Sequence, residues 1–136
     1  MKKKINVYVD MDGTIANLYE VCNWLEKLRS EERDLFNNLN PMTTQERLLK
    51  IFPKKLYNVK ILSMTPKNAS EEYCEIVKQE KNAWLDKHFP QITERIYLKY
   101  GDNKNLKNSK NAILLDDNEI IRKNFKGLAL NPIEIL

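Results

Sequence analysis

The chain has 136 residues, of which 42% are hydrophobic and 31% are charged, and its formal net charge is +4. This length and apolar content suffice for one hydrophobic core, while sparse Gly and Pro and evenly spread charges argue against a disordered protein. The basic excess suits anionic ligands in general, whether phosphorylated small molecules or nucleic acid. We therefore expect a single domain that spans residues 1–136.

The beginning of the chain resembles a signal peptide only in its lysines. The apolar run that follows them contains Asn6 and stops at Asp10, far short of a secretory h-region, and no other run reaches membrane-spanning length. Cys22 and Cys74 lie far from each other and from the one His, which argues against a zinc site and favours buried, reduced thiols. The sequence predicts a cytoplasmic protein with no membrane partner.

Five short runs of β-branched and aliphatic residues predict strands. They cover residues 5–9, 59–62, 95–98, 112–115 and 128–130. Between the second and third runs, the apolar residues of 71–88 have helical spacing, with Asn68 or Ser70 as N-cap. A short helix over 119–125, stopped by Gly127 in the C′ position, leads to the fifth strand. Strands alternating with helices predict a parallel sheet covered on both faces.

The stretch from about 16 to 56 is too long for one crossover and contains two helical patterns. The first pattern consists of Leu18, Val21, Cys22, Leu25 and Leu28. The second begins at Thr43, which has capping-box spacing to Glu46, and Pro41 and Pro53 lie at its ends. We predict a small helical insertion that covers the C-terminal edge of the sheet.

Polar residues follow the predicted strands at the edge where open α/β sheets form their ligand sites. They are Asp10-Met11-Asp12-Gly13-Thr14 after the first strand, Ser63-Met64-Thr65 after the second, Lys104, Lys107 and Lys110 after the third, and Asp116-Asp117-Asn118 after the fourth. Carboxylates this close are costly to ionise unless a cation neutralises them, and hard oxygen ligands suit Mg²⁺. The sequence therefore predicts a magnesium site, with a further carboxylate free to react.

An aspartate at such a site can attack phosphorus and become an aspartyl phosphate. Asp12 lies two residues after Asp10, close enough to protonate the leaving oxygen and later to activate water. Gly13 permits a sharp turn of the chain at this point. These residues predict a phosphatase in which Asp10 is the nucleophile.

The segment Asp10-x-Asp12-Gly13-Thr14 resembles the first motif of the haloacid dehalogenase (HAD) superfamily of phosphatases, and three further motifs follow in the family's order. The resemblance implies an α/β, Rossmann-like sheet of five parallel strands with a small helical cap after the first strand. It also implies that Ser63, in Lys60-Ile61-Leu62-Ser63, binds the phosphoryl group, and it makes Met11, Gly13 and Met64 further candidates for phosphate binding.

The same resemblance assigns the remaining charged residues. The family's lysine, which steadies the charge of the nucleophile and the phosphate, falls on Lys104, with Lys107 and Lys110 as alternatives. In Leu114-Leu115-Asp116-Asp117, which resembles the fourth motif, Asp117 is the direct Mg²⁺ ligand and Asp116 the supporting one, or the reverse. Asp10 would supply a side-chain oxygen to the metal, and Asp12 its main-chain carbonyl.

Within the superfamily, three segments are similar to the 5′(3′)-deoxyribonucleotidase branch. They are Ile61-Leu62-Ser63-x-Thr65-Pro66, the helix through Trp84-Leu85-Asp86-Lys87-His88-Phe89-Pro90, and Asp116-Asp117. This similarity implies a (deoxy)nucleoside monophosphate as substrate. The aromatic residues of that branch's cap lie over the nucleobase, and Tyr19, Trp24 and Phe36 are the candidates here. The helical spacing of Tyr19 and Trp24 nevertheless favours packing within the insertion over substrate contact.

Two other functions are compatible with these residues. A small cap leaves the site open, so the phosphate of a macromolecule, such as a nucleic-acid end or a phosphoprotein, is an alternative substrate. A non-catalytic phospholigand-binding protein is the second alternative, although both aspartates of the first motif, Asp10 and Asp12, are present. A monomer and a homodimer both fit the sequence.

Overall fold

The computed structural model describes residues 3–106 and 109–136. Within these ranges the strands are β1 (Ile5–Val9), β2 (Tyr57–Met64), β3 (Arg95–Leu98), β4 (Ile113–Leu115) and β5 (Leu128–Leu130). The α-helices are α1 (Trp24–Arg29), α2 (Gln45–Ile51), α3 (Glu71–His88) and α4 (Glu119–Asn124). The five predicted strands are confirmed, and β2 extends beyond the predicted run at both ends.

The strands form one parallel sheet in the order β3-β2-β1-β4-β5. The central strand β1 pairs with β2 from Ile5 to Val9, and it pairs with β4 from Val7 onward. Because every strand runs in the same direction, all of the C-terminal ends lie at one edge of the sheet. The predicted α/β, Rossmann-like class with a five-stranded parallel sheet is confirmed.

Helices cover both faces of the sheet because successive strand residues point to opposite sides. Val7 and Val9 are buried in one core cluster together with Val77 of α3. Tyr8 is buried in a second cluster with Phe125, the residue that follows α4. Both faces of β1 are therefore apolar and dry, which leaves the strand ends as the place for polar chemistry.

The long helix α3 begins and ends where its sequence pattern predicts. Ser70 is the N-cap: its hydroxyl oxygen accepts from the backbone N–H of Tyr73 at 3.1 Å, and acidic residues fill the first turn. The buried face of α3 also carries two charged residues, Glu80 and Lys81, which are 8% and 0% exposed. Charged side chains are rarely buried without partners, and both of these have them.

Glu80 and Trp84 attach the insertion between β1 and β2 to α3. The Glu80 carboxylate accepts from the backbone N–H groups of Asp34 at 2.8 Å and Phe36 at 3.1 Å. The Trp84 indole donates to the carbonyl oxygen of Leu39 at 2.7 Å. The second half of the insertion thus packs into the core against α3, while its first half lies over the C-terminal edge of the sheet.

The first helical pattern of the insertion does not form one helix, contrary to the prediction. It is divided into a 3-10 turn (Leu18–Glu20) and α1, with Asn23 between them in the left-handed conformation at φ 58°. Asn tolerates this conformation better than most residues, so it can break a helix that the apolar spacing favours. Cys22 lies in this break and is exposed, so the predicted burial of its thiol is also wrong.

The N-terminus of α2 differs from the prediction by one residue. Thr44, and not Thr43, is the N-cap, and its hydroxyl oxygen accepts from the backbone N–H of Arg47 at 3.2 Å. Both threonines suit a cap chemically, and the capping-box spacing from Thr43 to Glu46 favoured the wrong one. The helix keeps Glu46 in its first turn, where its charge is favourable.

Gly127 does not occupy the C′ position of α4, contrary to the prediction. The helix ends at Asn124 with Phe125 as C-cap, so Gly127 lies one residue further along than predicted. A Cβ at 127 would overlap the carbonyl oxygens of Ser109 and Ala112. Glycine is therefore required there for close approach of two backbone segments, and not for ending the helix.

Candidate active site

The acidic residues that follow β1 and β4 meet at the C-terminal edge of the sheet. The backbone N–H of Asp10 donates to the carbonyl oxygen of Leu115 at 2.9 Å, which continues the β1–β4 pairing and places Asp10 beside the end of β4. The carboxylates of Asp10, Asp116 and Asp117 each offer an oxygen within 4.8 Å of the others. We refer to these three residues as the acidic cluster.

Lys104 lies inside the acidic cluster. Its Nζ donates to Asp116 Oδ2 at 2.7 Å, to Asp10 Oδ1 at 2.9 Å and to the carbonyl oxygen of Leu62 at 3.2 Å. Burial alone would lower the pKa of Lys104, but the two carboxylates outweigh burial and raise that pKa above its usual value. Lys104 is therefore a permanent cation held against the predicted nucleophile.

Of the two alternatives to Lys104, which are Lys107 and Lys110, the structure describes only Lys110. Lys110 is exposed and lies in a 3-10 turn (Ser109–Asn111) that precedes β4, at the opposite edge of the sheet. Lys107 lies outside the described residues. Of the two described lysines, only Lys104 contacts the acidic cluster, because it follows β3 directly on the edge where all of the strands end.

The acidic cluster holds more negative charge than Lys104 neutralises. Burial and then the charge of Asp10 raise the pKa of Asp117 to about 7, and the same two causes raise the pKa of Asp116. Among the described contacts Asp117 has no ion pair, and it accepts only a weak hydrogen bond from Thr14 Oγ1 at 3.5 Å. A divalent cation bound by these oxygens would remove the repulsion, so the residues fit Mg²⁺.

Asp116 and Asp117 differ in how many of their oxygens are free. Asp116 is 1% exposed, and its two oxygens accept from Lys104 Nζ at 2.7 Å and from the backbone N–H of Asn118 at 2.9 Å. Asp117 is exposed at the surface of the cluster. The carboxylate of Asp117 is therefore the one more available for a metal ion, while that of Asp116 is occupied in holding Lys104.

Asp12 lies beside the acidic cluster in a different environment. Its Oδ2 accepts from Lys81 Nζ at 3.0 Å, while its Oδ1 is buried without a hydrogen-bond partner among the described residues. Burial raises the pKa of Asp12; the cation of Lys81 opposes this shift, and the charge of Asp10 adds to it. A raised pKa is what a carboxyl group needs to donate a proton near neutral pH.

The loop after β1 turns sharply at Gly13, as predicted. Gly13 has φ 79°, and its N–H already donates to the carbonyl oxygen of Ala16 at 2.9 Å. A Cβ there would collide with the Asp117 carboxylate and would lie 2.5 Å from a ring carbon of Tyr19. Gly13 thus allows the β1 loop and Asp117 to approach each other, and its proposed contact with phosphate stays a prediction.

The other predicted phosphate-binding positions also lie at this edge. The side chain of Met11 is 0% exposed, so only its backbone can reach a ligand. The carbonyl oxygen of Met64 accepts from Lys81 Nζ at 3.0 Å, and the Ser63 hydroxyl accepts from the same atom at 2.8 Å. Ser63 is the member of this set with a side-chain donor to offer, because its own proton is not used in that bond.

We expect Gly13→Ala to destabilise the protein far more than Gly101→Ala. Both glycines have positive φ, at 79° and 88°, so both substitutions carry a backbone penalty of about 1 kcal/mol. Only at Gly13 would the added methyl group also collide with Asp117 and Tyr19, whereas nothing lies within 4 Å of it at Gly101. Urea unfolding of both variants measures the difference, and equal losses would contradict the close approach of Gly13 to Asp117 and Tyr19.

A cavity of about 900 Å³ opens beside the acidic cluster, within the usual size range of small-molecule sites. Its walls include Tyr19 and Trp24, whose rings meet edge to face at 4.9 Å, and the nearly buried Phe36. Tyr19 is 49% exposed, and burial together with the nearby carboxylates raises the pKa of its hydroxyl. Tyr19 lines the same cavity as Asp10 and Asp117, so it borders the acidic cluster as well as packing against Trp24.

No protein-family model and no curated protein matches the chain. None of the helices in the described ranges combines the length and the hydropathy that crossing a membrane requires. Any functional assignment therefore rests on the residues at the sheet edge and on their distances.

Sequence reasoning missed Lys81, the residue that joins Asp12 to Ser63. It lies in the middle of α3, 69 residues after Asp12 and 18 after Ser63, so no local motif contains it. A signal was nevertheless present, because Lys81 falls four residues after Val77 and three before Trp84, on the apolar stripe of the predicted helix. A lysine on a buried stripe must find acceptors, and the polar ends of β1 and β2 are the acceptors nearest to it.

Proposed function

We propose that this protein is a magnesium-dependent phosphatase of the HAD type, which hydrolyses phosphate monoesters through an aspartyl phosphate on Asp10. The observation that carries the proposal is the position of Lys104, which is buried between Asp10 and Asp116 at the end of the central strand. A charged lysine there lowers the cost of bringing an anionic phosphoryl group to an anionic nucleophile. Asp12 and Ser63 lie beside this pair and provide the remaining groups.

In the first step, Asp10 attacks phosphorus with one carboxylate oxygen, and the bond from phosphorus to the leaving oxygen breaks. Lys104 contacts Oδ1 of Asp10 and Thr14 donates to Oδ2 at 3.2 Å, so both oxygens are oriented before substrate arrives. Asp12 gives its proton to the leaving oxygen, which departs as an alcohol. The Ser63 hydroxyl donates a hydrogen bond to an oxygen of the phosphoryl group and keeps its proton.

In the second step, Asp12 acts as a base. It takes a proton from water, and the resulting oxygen attacks the phosphorus of the aspartyl phosphate. The bond between phosphorus and Asp10 breaks, which releases inorganic phosphate and returns both carboxyl groups to their starting protonation states. The raised pKa of Asp12 suits both roles, because the group must exchange its proton twice in each cycle.

The chain offers a ligand set for Mg²⁺ at the acidic cluster. Carboxylate oxygens of Asp10 and Asp117 and the main-chain carbonyl of Asp12 would hold the ion, and Asp116 would support it through Lys104 and Asn118. When bound, Mg²⁺ supplies positive charge that offsets the charge of the phosphoryl group. The freedom of the Asp117 carboxylate favours Asp117 over Asp116 as the direct ligand.

A (deoxy)nucleoside monophosphate is the substrate that we propose. The cavity beside Asp10 is lined by the edge-to-face pair of Tyr19 and Trp24 and by the exposed ring of Tyr100. Aromatic walls next to a phosphate site suit a ligand that carries a planar ring. The cavity volume of about 900 Å³ also accommodates a mononucleotide.

Phosphate release from p-nitrophenyl phosphate and from a panel of nucleoside monophosphates tests this function. We expect release with Mg²⁺ and none with EDTA, and a faster reaction with the nucleotides than with glycerol phosphate, which lacks a ring. Release from phosphorylated oligonucleotide ends or phosphopeptides alone would replace the nucleotide with a macromolecular substrate. No release from any of these compounds would contradict the phosphatase and favour a binding role.

We expect Asp117→Asn to raise the Mg²⁺ concentration needed for half-maximal activity by at least about tenfold, because the substitution removes a charged ligand. Mg²⁺ should also raise the melting temperature of the wild type, and by less in this variant. Glu119→Gln is the matched control, since Glu119 lines the same cavity but pairs with Lys123 at 3.1 Å on the surface. An unchanged Mg²⁺ titration in Asp117→Asn would exclude Asp117 as a direct ligand.

A further inference from the structure

Lys81 is a fully buried cation that has no role in the two proposed reaction steps. It is 0% exposed, and its Nζ donates to Ser63 Oγ at 2.8 Å, to Asp12 Oδ2 at 3.0 Å and to the carbonyl oxygen of Met64 at 3.0 Å. An ammonium group has three protons to donate, and these three acceptors use all of them. The same nitrogen lies 4.9 Å from the ring centre of Phe36, within the range of a cation–π contact.

The contact with Lys81 determines the direction of the Ser63 hydroxyl. An ammonium group can only donate, so the Ser63 oxygen is the acceptor of that hydrogen bond. The hydroxyl proton of Ser63 is then left for a different acceptor. The oxygens of a phosphoryl group are largely deprotonated at neutral pH and accept hydrogen bonds, so Lys81 prepares Ser63 as a phosphate-binding donor.

The contact with Lys81 also distinguishes the two oxygens of Asp12. Oδ2 is anchored by the ammonium at 3.0 Å, and Oδ1 is buried with no hydrogen-bond partner among the described residues. A carboxyl group held at one oxygen cannot rotate freely, which keeps its second oxygen in a constant place. Oδ1 is then the oxygen that remains for exchange of a proton with the leaving group and with water.

We propose that Lys81 is a positioning residue, which holds Asp12 and Ser63 in the orientation that phosphoryl transfer requires. This inference rests on the proposed phosphatase function. Lys81 differs from Lys104 because it contacts the acid–base residue and the phosphate-binding hydroxyl, whereas Lys104 contacts the nucleophile and Asp116. The two lysines therefore support different halves of the same site.

Lys81→Met tests the proposal, because Met keeps most of the unbranched side chain and removes the three donors. We expect kcat to fall by about 10²-fold, the lower end of what acid–base catalysis contributes, and KM to rise through Ser63. The loss should be larger for alkyl phosphates than for p-nitrophenyl phosphate, whose leaving group needs no proton. A merely structural role would slow all substrates equally, and that result would overturn the proposal.

Lys78→Met is the matched control one turn earlier in α3. Lys78 forms a surface ion pair with Glu75 at 3.1 Å and has no contact with Asp12 or Ser63. We expect its activity to stay within about twofold of the wild type, since surface pairs contribute little. If Lys78→Met lost as much activity as Lys81→Met, any lysine substitution in α3 would be harmful. That result would contradict a specific role for Lys81.

A double-mutant cycle with Asp12→Asn covers the case in which Lys81→Met alone folds poorly. The double variant removes the buried cation together with its half-buried carboxylate partner, so no unpaired charge is left at this site. If the effect of Lys81 on kcat acts through Asp12, loss of Lys81 in the Asp12→Asn background should lower kcat by no more than about threefold, while KM still rises through Ser63. Fully additive losses would overturn the proposal.

Phosphate binding separates failure of this inference from failure of the phosphatase function. If the wild type turns over no substrate, the phosphatase proposal fails, and calorimetry with inorganic phosphate and Mg²⁺ then decides the role of Lys81. We expect Ser63→Ala and Lys81→Met each to weaken phosphate binding by about tenfold, without additivity in the double variant. Unchanged affinity in Lys81→Met, or no phosphate binding by the wild type, would overturn the proposal.

Discussion

Asp10→Asn is expected to lower turnover by at least about 10⁴-fold, because the amide removes the attacking oxygen of the proposed nucleophile. The fold should survive the change, since Asn has the same shape and Lys104 keeps its contacts with Asp116 and the carbonyl oxygen of Leu62. Removing one charge from the crowded acidic cluster should leave the melting temperature unchanged or raise it. Steady-state kinetics and thermal unfolding of the same sample provide both measurements.

Asp86→Asn is the control for the nucleophile. Asp86 is an exposed carboxylate that pairs with Arg95 at 2.8 Å, and it lies near the C-terminal end of α3, outside the site. Mass spectrometry of acid-quenched wild type should detect a phosphoryl group on the peptide that contains Asp10. Activity retained in Asp10→Asn, or a phosphoryl group on another residue, would contradict the assignment.

Lys104→Met should lower the free energy of unfolding by about 3–5 kcal/mol, the usual cost of removing one partner from a buried charge pair. The loss is large because Lys104 is 4% exposed and contacts two carboxylates, Asp10 and Asp116, which would face each other without a cation. Such a loss is a substantial part of the total stability of an ordinary domain. Urea unfolding with and without Mg²⁺ measures it, and turnover should fall in the same variant.

Lys110→Met provides the comparison, because Lys110 is exposed at the opposite edge of the sheet. Its substitution should change the free energy of unfolding by less than about 0.5 kcal/mol and leave turnover unaffected. The double variant with Lys104→Met and Asp116→Asn should regain part of the lost stability, since it removes a carboxylate along with its cation. A loss of activity in Lys110→Met but not in Lys104→Met would reverse the assignment of the two lysines.

The strands and the helix α3 follow from the sequence because their signals are local. The strand-forming runs at Ile5–Val9 and Arg95–Leu98, and the cap at Ser70, depend on residues only a few positions apart. Alternation of strands and helices then leaves a parallel sheet as the arrangement that buries both strand faces. The residues that follow β1 and β4 meet because the C-terminal ends of parallel strands lie at the same edge of the sheet.

The insertion was predictable only in outline. Its apolar spacing predicts helices, but Asn23 in the left-handed conformation divides the first pattern, and Glu80 of α3 determines where the second half docks. Each of these two hydrogen bonds joins a pair of residues far apart in sequence, with separations of 46 and 44 positions. Local propensity differs by only a few tenths of a kcal/mol between such alternatives, so tertiary contacts decide among them.

By itself, the sequence determined which polar groups follow each strand: acidic residues after β1 and β4, a hydroxyl after β2, and a lysine after β3. Only the tertiary structure decided that Lys104 contacts Asp10, 94 residues away, and that Lys81 joins Asp12 to Ser63. A lysine can reach a carboxylate from many positions in a chain. The sequence pattern around the lysine therefore does not show which carboxylate it contacts. Packing of α3 and of the segment after β3 selects the partners, because a buried ammonium group is stable only where acceptors already lie.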